Sequence, residues 1–382
     1  MTALQVPSSQ PHFTGNPQHL SLLGSVLCKE GVMGFNQWRA QNLSLRLSLS
    51  GINLSRLDLT GIDLSNCDLQ NALFFETKLG DANFSLTDCS RACFRNVFAP
   101  KLNAYSVRWH QASFSDSHFN QANFCDSWLC ETLWSHTSLI GAHLRKTQLR
   151  QCDMDHVNFN GALLTESQWL ASELIHVQFL RANMFLANFR SSQFDHCDFS
   201  YAQAKGADFC ESRWQENQAS YLNAQGAAFF QASLHKCHLE KSDFQSASLG
   251  FWMLQDCNLT ATTFKNANLT DTRAKDCDFH RCDMSETNFN FSRWENCNFS
   301  KAELSGSKLY GLGIEGSKLD QAYCSHIFTD AEGRLRVPKL GRFKDGEFKE
   351  FLAKNYFEVE IFQTKTLHKQ HIQTPNPQGP VS

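Results

Sequence analysis

Leu47-Ser48-Leu49-Ser50-Gly51-Ile52-Asn53-Leu54-Ser55-Arg56-Leu57-Asp58-Leu59-Thr60-Gly61-Ile62-Asp63-Leu64 places a leucine at 49, 54, 59 and 64, one every five residues. The beat continues through Leu69, Phe74, Leu79 and Phe84. It is still in phase at Phe289, Trp294, Phe299, Leu304, Leu309, Ile314 and Leu319. From 49 to 319 it amounts to 55 units. Two residues before each large side chain sits a smaller one, such as Ala72, Ala82, Ala112, Cys152, Ala162, Ser192 or Ser307. A period of five matches neither the 3.6 of a helix nor the 2 of a plain strand. It requires a chain that turns a corner every five residues, which is the mark of a repeat architecture.

Wrapped at 20 residues, the sequence aligns in columns: Trp134, Trp214 and Trp294; Phe159, Phe179 and Phe199; Phe189, Phe209 and Phe229. Four five-residue sides per coil would stack residue i under residue i+20, with coils paired as parallel ladders. Residues 41–320 then make 14 coils, a rod roughly 65–70 Å long at about 4.8 Å per coil. Its interior is filled by the central residues. Small central residues sit near large ones, as with Ala204 and Ala219 beside Trp214, or Ala274 one coil below Trp294. Close-packed interiors demand this compensation of volume.

The composition fits a folded, elongated body. Of 382 residues 42% are hydrophobic, and only 8 are proline. The net charge of −3 gives no strong field toward nucleic acid or anionic membrane. No run of 18 apolar residues occurs, so no membrane span is expected. The first 18 residues lack the basic and apolar regions of a signal peptide. Eight of the 15 cysteines (67, 152, 197, 237, 257, 277, 282 and 297) occupy the small inward slot, where a free thiol serves as a small hydrophobe. No CxxC spacing occurs. A reducing compartment, the bacterial cytoplasm, is the expected location.

The units Ala82-Asn83-Phe84, Ala122-Asn123-Phe124, Ala207-Asp208-Phe209 and Ala267-Asn268-Leu269 resemble the A(D/N)LXX motif of pentapeptide repeat proteins. The resemblance implies an all-β fold, a right-handed quadrilateral β-helix. Residues Lys29 to Asn42, with Phe35-Asn36-Gln37-Trp38-Arg39, are similar to the helical lead-in before many bacterial arrays of this type. The expected organisation is an unstructured 1–16, a helical cap at 17–44, the solenoid at 45–325, a closing segment at 326–365 and an unstructured tail at 366–382. Ladder edges at both ends need covers. Leu20, Leu23, Val26 and Leu27 suit the first. For the second, Asp345 is expected to N-cap a helix carrying Phe348, Phe351, Leu352 and Tyr356, followed by strand-like Phe357, Val359 and Ile361. That segment either caps the rod or forms a homodimer contact.

Chemical signals are few. Gly311-Leu312-Gly313-Ile314-Glu315-Gly316 has the GxGxxG spacing, but Ile314 stays in the five-residue phase, so no helix opens there as a dinucleotide site requires. No catalytic constellation stands out, and no enzyme activity, cofactor or metal is expected. His136, His156, His176 and His196 recur every 20 residues and form one outside ladder, with Asp116 below and Glu216 above. Read as chemistry this is a metal or proton-sensing strip; read plainly, similar coils stack like on like. Four ligands in a line do not make a tetrahedron, although two neighbours can share an ion. Leu170, Phe230, Phe251, Phe291 and Tyr310, with Ile175, Leu180 and Phe185 nearby, point outward and suggest an apolar partner stripe.

The reading that follows is a non-enzymatic scaffold binding a protein partner, with a link to a bacterial secretion system among its roles. One alternative is a DNA-mimicking, gyrase-binding resistance protein; another is a secreted effector. Between Arg46 and Asp320, 24 Lys+Arg oppose 30 Asp+Glu. That excess falls far short of a duplex, with about one charge per 1.7 Å, and direct nucleic-acid binding is not expected.

Overall fold

A computed structural model of the chain describes residues 12–355. It is a parallel β-solenoid between two helices, α1 (Pro17–Gln41) and α2 (Glu347–Asn355). Twelve three-residue strands, β1 (Leu73–Phe75) to β12 (Arg293–Glu295), pair in sequence order at an offset of 20 residues. Three further columns of bridges, exemplified by Ser48↔Asp68, Asp58↔Lys78 and Asp63↔Asn83, carry the same offset on the other sides. The cross-section is therefore four-sided. The solenoid makes about 13 turns, slightly fewer than the 14 expected, because α1 runs to Gln41 and the first bridge is at Ser48.

The corner explains the period. Every fifth residue from Gly51 to Gln321 has a positive φ, and the non-glycine ones lie between 46° and 63°. Each β-branched residue would meet steric conflict there, and none of these corners carries Val, Ile or Thr. Many corners are closed by a turn bond, as when Ile52 N donates to Leu49 O across Gly51, the arrangement of a type II turn. The corner after the β1–β12 column closes differently. It is held by a bond that recurs at the other corners too, in which an inward side chain donates to the carbonyl 23 residues earlier: Thr77 Oγ1 to Leu54 O at 3.0 Å, Asn217 Nδ2 to Phe194 O at 3.0 Å, and at another corner Ser172 Oγ to Leu149 O at 2.8 Å. Cys197 Sγ reaches Leu174 O at 3.3 Å, and Cys237, Cys257 and Cys297 make longer contacts of the same kind. These thiols are thus more than small hydrophobes. Gly311 and Gly316 of the GxGxxG stretch are corner residues with φ of 70° and 64°.

Between corners both inward positions are buried, and the rings stack along the axis. Phe189 lies 5.1 Å from Phe209, and Phe209 lies 4.8 Å from Phe229. Burying each such ring contributes about 1.5–3 kcal/mol relative to exposure. Ala274 pairs in register with Trp294, as volume compensation requires. One ring breaks the small–large alternation: Trp252 occupies a small slot and packs among Phe229, Phe244 and Phe264.

At the N-terminal end, the stretch expected to be unstructured up to Asn16 is held to the first coil from Thr14 onward. Thr14 and Gly15 N–H groups donate to Ser50 O, and Asn16 N to Ser48 O. Asn16 also N-caps α1 by accepting from Gln18 N at 2.8 Å. Helix α1 is interrupted at Gly31, whose φ is 65°. At the other end β13 (Ser307–Lys308) pairs parallel with β14 (Ile327–Phe328), and β14 pairs antiparallel with β15 (Arg336–Val337). Helix α2 then buries Phe348 and Leu352 against the last coils. Asp345 lies two residues before this helix and is exposed. The local bond is instead Lys344 N to Glu347 Oε2 at 2.8 Å. Tyr356, Phe357, Val359 and Ile361, and the tail from 366, lie outside the described residues.

Candidate interaction surfaces

The outward side chains fall on four corners and four sides, and this divides the predicted apolar stripe. Leu170, Phe230, Phe251, Phe291 and Tyr310 share one corner. Phe230 and Phe251 meet edge to face at 5.4 Å, and Phe291 and Tyr310 at 5.2 Å. Ile175, Leu180 and Phe185 are one, two and three sides further along the coil. They lie on other corners and join no common patch with these rings. Twenty residues per turn leaves no other placement for offsets of five. Asp271 stands between Phe251 and Phe291 in the corner column, so even the remaining stripe is two aromatic pairs, not a continuous face. Gly311 leaves room for Phe291, whose Cδ1 is 2.9 Å from where a Cβ would lie.

A larger feature runs along the β sheet. From β6 (Glu173–Ile175) to β12, a groove of about 1250 Å³ follows the strands and ends at Lys349, Leu352 and Ala353 of α2. The backbone of the strand centres forms its floor, the side chains of Leu174, Phe194 and Trp214 being buried inward, and the flanking residues of each strand form two rails. Arg213, Arg273 and Arg293 stand on one rail, and none makes an ion pair among the described residues. The opposite rail is partly neutralised, with Lys275 Nζ 2.8 Å from Glu295 Oε1. Sequence reasoning missed this groove. The signal was present as arginines 20 and 60 residues apart in one column, at 213, 273 and 293.

The four histidines do stand in one ladder. Successive ring centroids are 4.9, 4.4 and 5.4 Å apart from His136 to His196. Carboxylates sit beside them: Asp155 Oδ1 is 2.6 Å from His156 Nδ1 and 3.5 Å from His176 Nδ1. His196 is held by Asp195 at 2.7 Å and Glu216 at 3.1 Å. Lys236 Nζ reaches the same Glu216 at 3.4 Å. The Gln215 amide and this lysine hold the Glu216 carboxyl below its ordinary range. Inside the rod, burial pushes the thiols of Cys67, Cys152 and Cys197 up to about 12. All 15 cysteines are free.

Two family profiles match the chain. The pentapeptide repeat region matches residues 102–179 and 253–323, and the eight-copy pentapeptide repeats match 48–88 and 63–98. Between them they span just over half of the sequence. The chain belongs to the pentapeptide repeat family. Solved structures similar to this pentapeptide repeat protein include one from the Arabidopsis thaliana thylakoid lumen, at 24% identity and TM-score 0.23. That match covers 24% of this chain and 63% of the other. HetL of Nostoc sp. strain PCC 7120, involved in heterocyst differentiation regulation, is 20% identical over 78% of this chain and 98% of its own, with TM-score 0.14. QnrB1, a plasmid-mediated fluoroquinolone resistance protein, is 14% identical over 52% and 92%, with TM-score 0.27. No curated protein matches the chain. Among the described residues, no helix is long and apolar enough to cross a membrane.

Proposed function

We propose that the protein is a non-enzymatic scaffold that holds a protein partner along the β6–β12 groove. The observation that carries this reading is the rail of Arg213, Arg273 and Arg293 along the groove. Guanidiniums with no ion pair among the described residues are pre-organised donors for carboxylates, so an extended segment bearing acidic side chains suits the groove. The two aromatic pairs at the neighbouring corner, Phe230–Phe251 and Phe291–Tyr310, extend the same surface and supply the kind of ring anchors that dominate interfaces. Arginines on this rail also argue against duplex mimicry, which needs carboxylates at duplex density.

The test is affinity capture from the native cell with three baits: the unaltered protein, the triple variant R213E/R273E/R293E, and a control substituted on another side, Lys101→Glu. The scaffold reading expects one or more binders lost with the triple variant and kept by the control. An identical set of binders on all three baits ends it.

A further inference from the structure

The histidine corner carries more than repeated stacking. His136 and His156 belong to adjacent turns, and their backbones are fixed by the ladder with φ of 46° and 54°. Asp155 precedes His156 and places a carboxylate beside the same pair. One donor atom from each of His136, Asp155 and His156 lies within 4.8 Å of the other two, and the three side chains are exposed or half-buried. Zinc bonds of about 2.0–2.1 Å separate tetrahedral donors by about 3.4 Å, so small side-chain rotations close the set. Two imidazoles and a carboxylate leave a fourth position for water, the open arrangement of many zinc centres. Nitrogen donors favour zinc, copper, nickel and cobalt over magnesium and calcium.

We propose that His136, Asp155 and His156 form a binding site for one divalent transition-metal ion on the outer corner of the solenoid. His176, whose Nδ1 is 3.5 Å from the same Asp155 oxygen, flanks the site and holds the carboxylate from the other side. The upper end of the ladder does not duplicate it. There both nitrogens of His196 are engaged, Nδ1 by Asp195 and Nε2 by Glu216. One ion per chain is therefore expected.

The experiment titrates the full chain with zinc chloride by calorimetry and with cobalt(II) chloride by visible absorption. The unaltered protein should bind one ion, and cobalt should show ligand-field bands without a thiolate charge-transfer band. Losing an outer-sphere partner already weakens metal binding about 10–100-fold. His156→Ala and Asp155→Asn should therefore each weaken it by at least about tenfold, while His196→Ala leaves it unchanged. Alanine already sits at a comparable positive φ, 52° and 59°, on two other corners of the coil at 171 and 261, so the variants should melt like the parent. Four outcomes overturn the site: no binding by the parent, equal affinity in His156→Ala, equal loss in His196→Ala, or a thiolate spectrum.

Discussion

The two ends of the solenoid are closed by different means. At the first coil, side chains imitate a missing turn of backbone. Ser48 N donates to His19 Nδ1 at 3.0 Å, and Asp63 N to Asn36 Oδ1 at 2.8 Å. Arg39, fully buried, donates to the carbonyls of Asn42, Leu45 and Ser65 at 2.6–2.9 Å. At the last coil, the ladder edge is met by real strands, β14 and then the antiparallel β15, and the core is plugged by Phe348 and Leu352. A parallel ladder leaves unpaired groups at both ends. The N-terminal cover adds these side-chain bonds to the apolar burial of Leu23 and Phe35, whereas the C-terminal cover joins backbone pairing to the burial of Phe348 and Leu352. Stability in such stacks is a sum of local terms, so damage to one cover should stay at its own end.

The largest expected effect is at Arg39. Arg39→Met keeps much of the volume but strands three carbonyls, at about 1–3 kcal/mol for each buried group left unpaired. Hydrogen exchange should then accelerate in the coils around 48–70 and not around 300–320. Uniform acceleration along the rod would break the comparison. Leu352→Ala should cost about 2–4 kcal/mol, with the opposite distribution: faster exchange near Leu304 and Leu309, little change near Leu49.

Alkaline titration sharpens the comparison, because each end holds a raised thiol. Burial pushes Cys67 and Cys324 from the ordinary value of 9.0 up to about 12. A group whose folded pKa is raised adds stability that is fully present below 9 and is lost as pH rises toward 12. By pH 10 the loss is on the order of 1 kcal/mol per thiol. Melting temperature should fall from about pH 9 upward, and Cys67→Ala and Cys324→Ala should each flatten that fall. A flat profile to pH 11 would contradict it. An effect of similar size is expected at a corner between the ends: Gln121→Ile, placed at φ of 60°, should cost about 1–2 kcal/mol. Gln121→Gly should leave the melting temperature nearly unchanged.

Much of this was legible in advance, for a physical reason. The 20-residue pairing register and the buried positions followed from Leu49, Leu54 and their successors, since a fixed period leaves each residue one side of the rod. The same arithmetic, fully applied, separates Ile175, Leu180 and Phe185 from the Phe230–Phe251 corner. The role of Phe35-Asn36-Gln37-Trp38-Arg39 was visible as a helix, but not as a set of side chains that donate to Gly61 O and Ser65 O and accept from Asp63 N. Nor did Asp345 reveal that Glu347 would take the bond at the start of α2.

The sequence by itself determined how the chain winds and which side chains are inside, because large apolar groups at every fifth position can be buried together in only one way. The tertiary structure alone decided what the outside offers. The Asp155 carboxylate reaches His176 of the next turn, the Arg213 rail makes no ion pair among the described residues while Lys275 finds Glu295, and α2 closes the groove. Those outcomes rest on side-chain direction and on contacts between turns, which a period in the sequence does not specify.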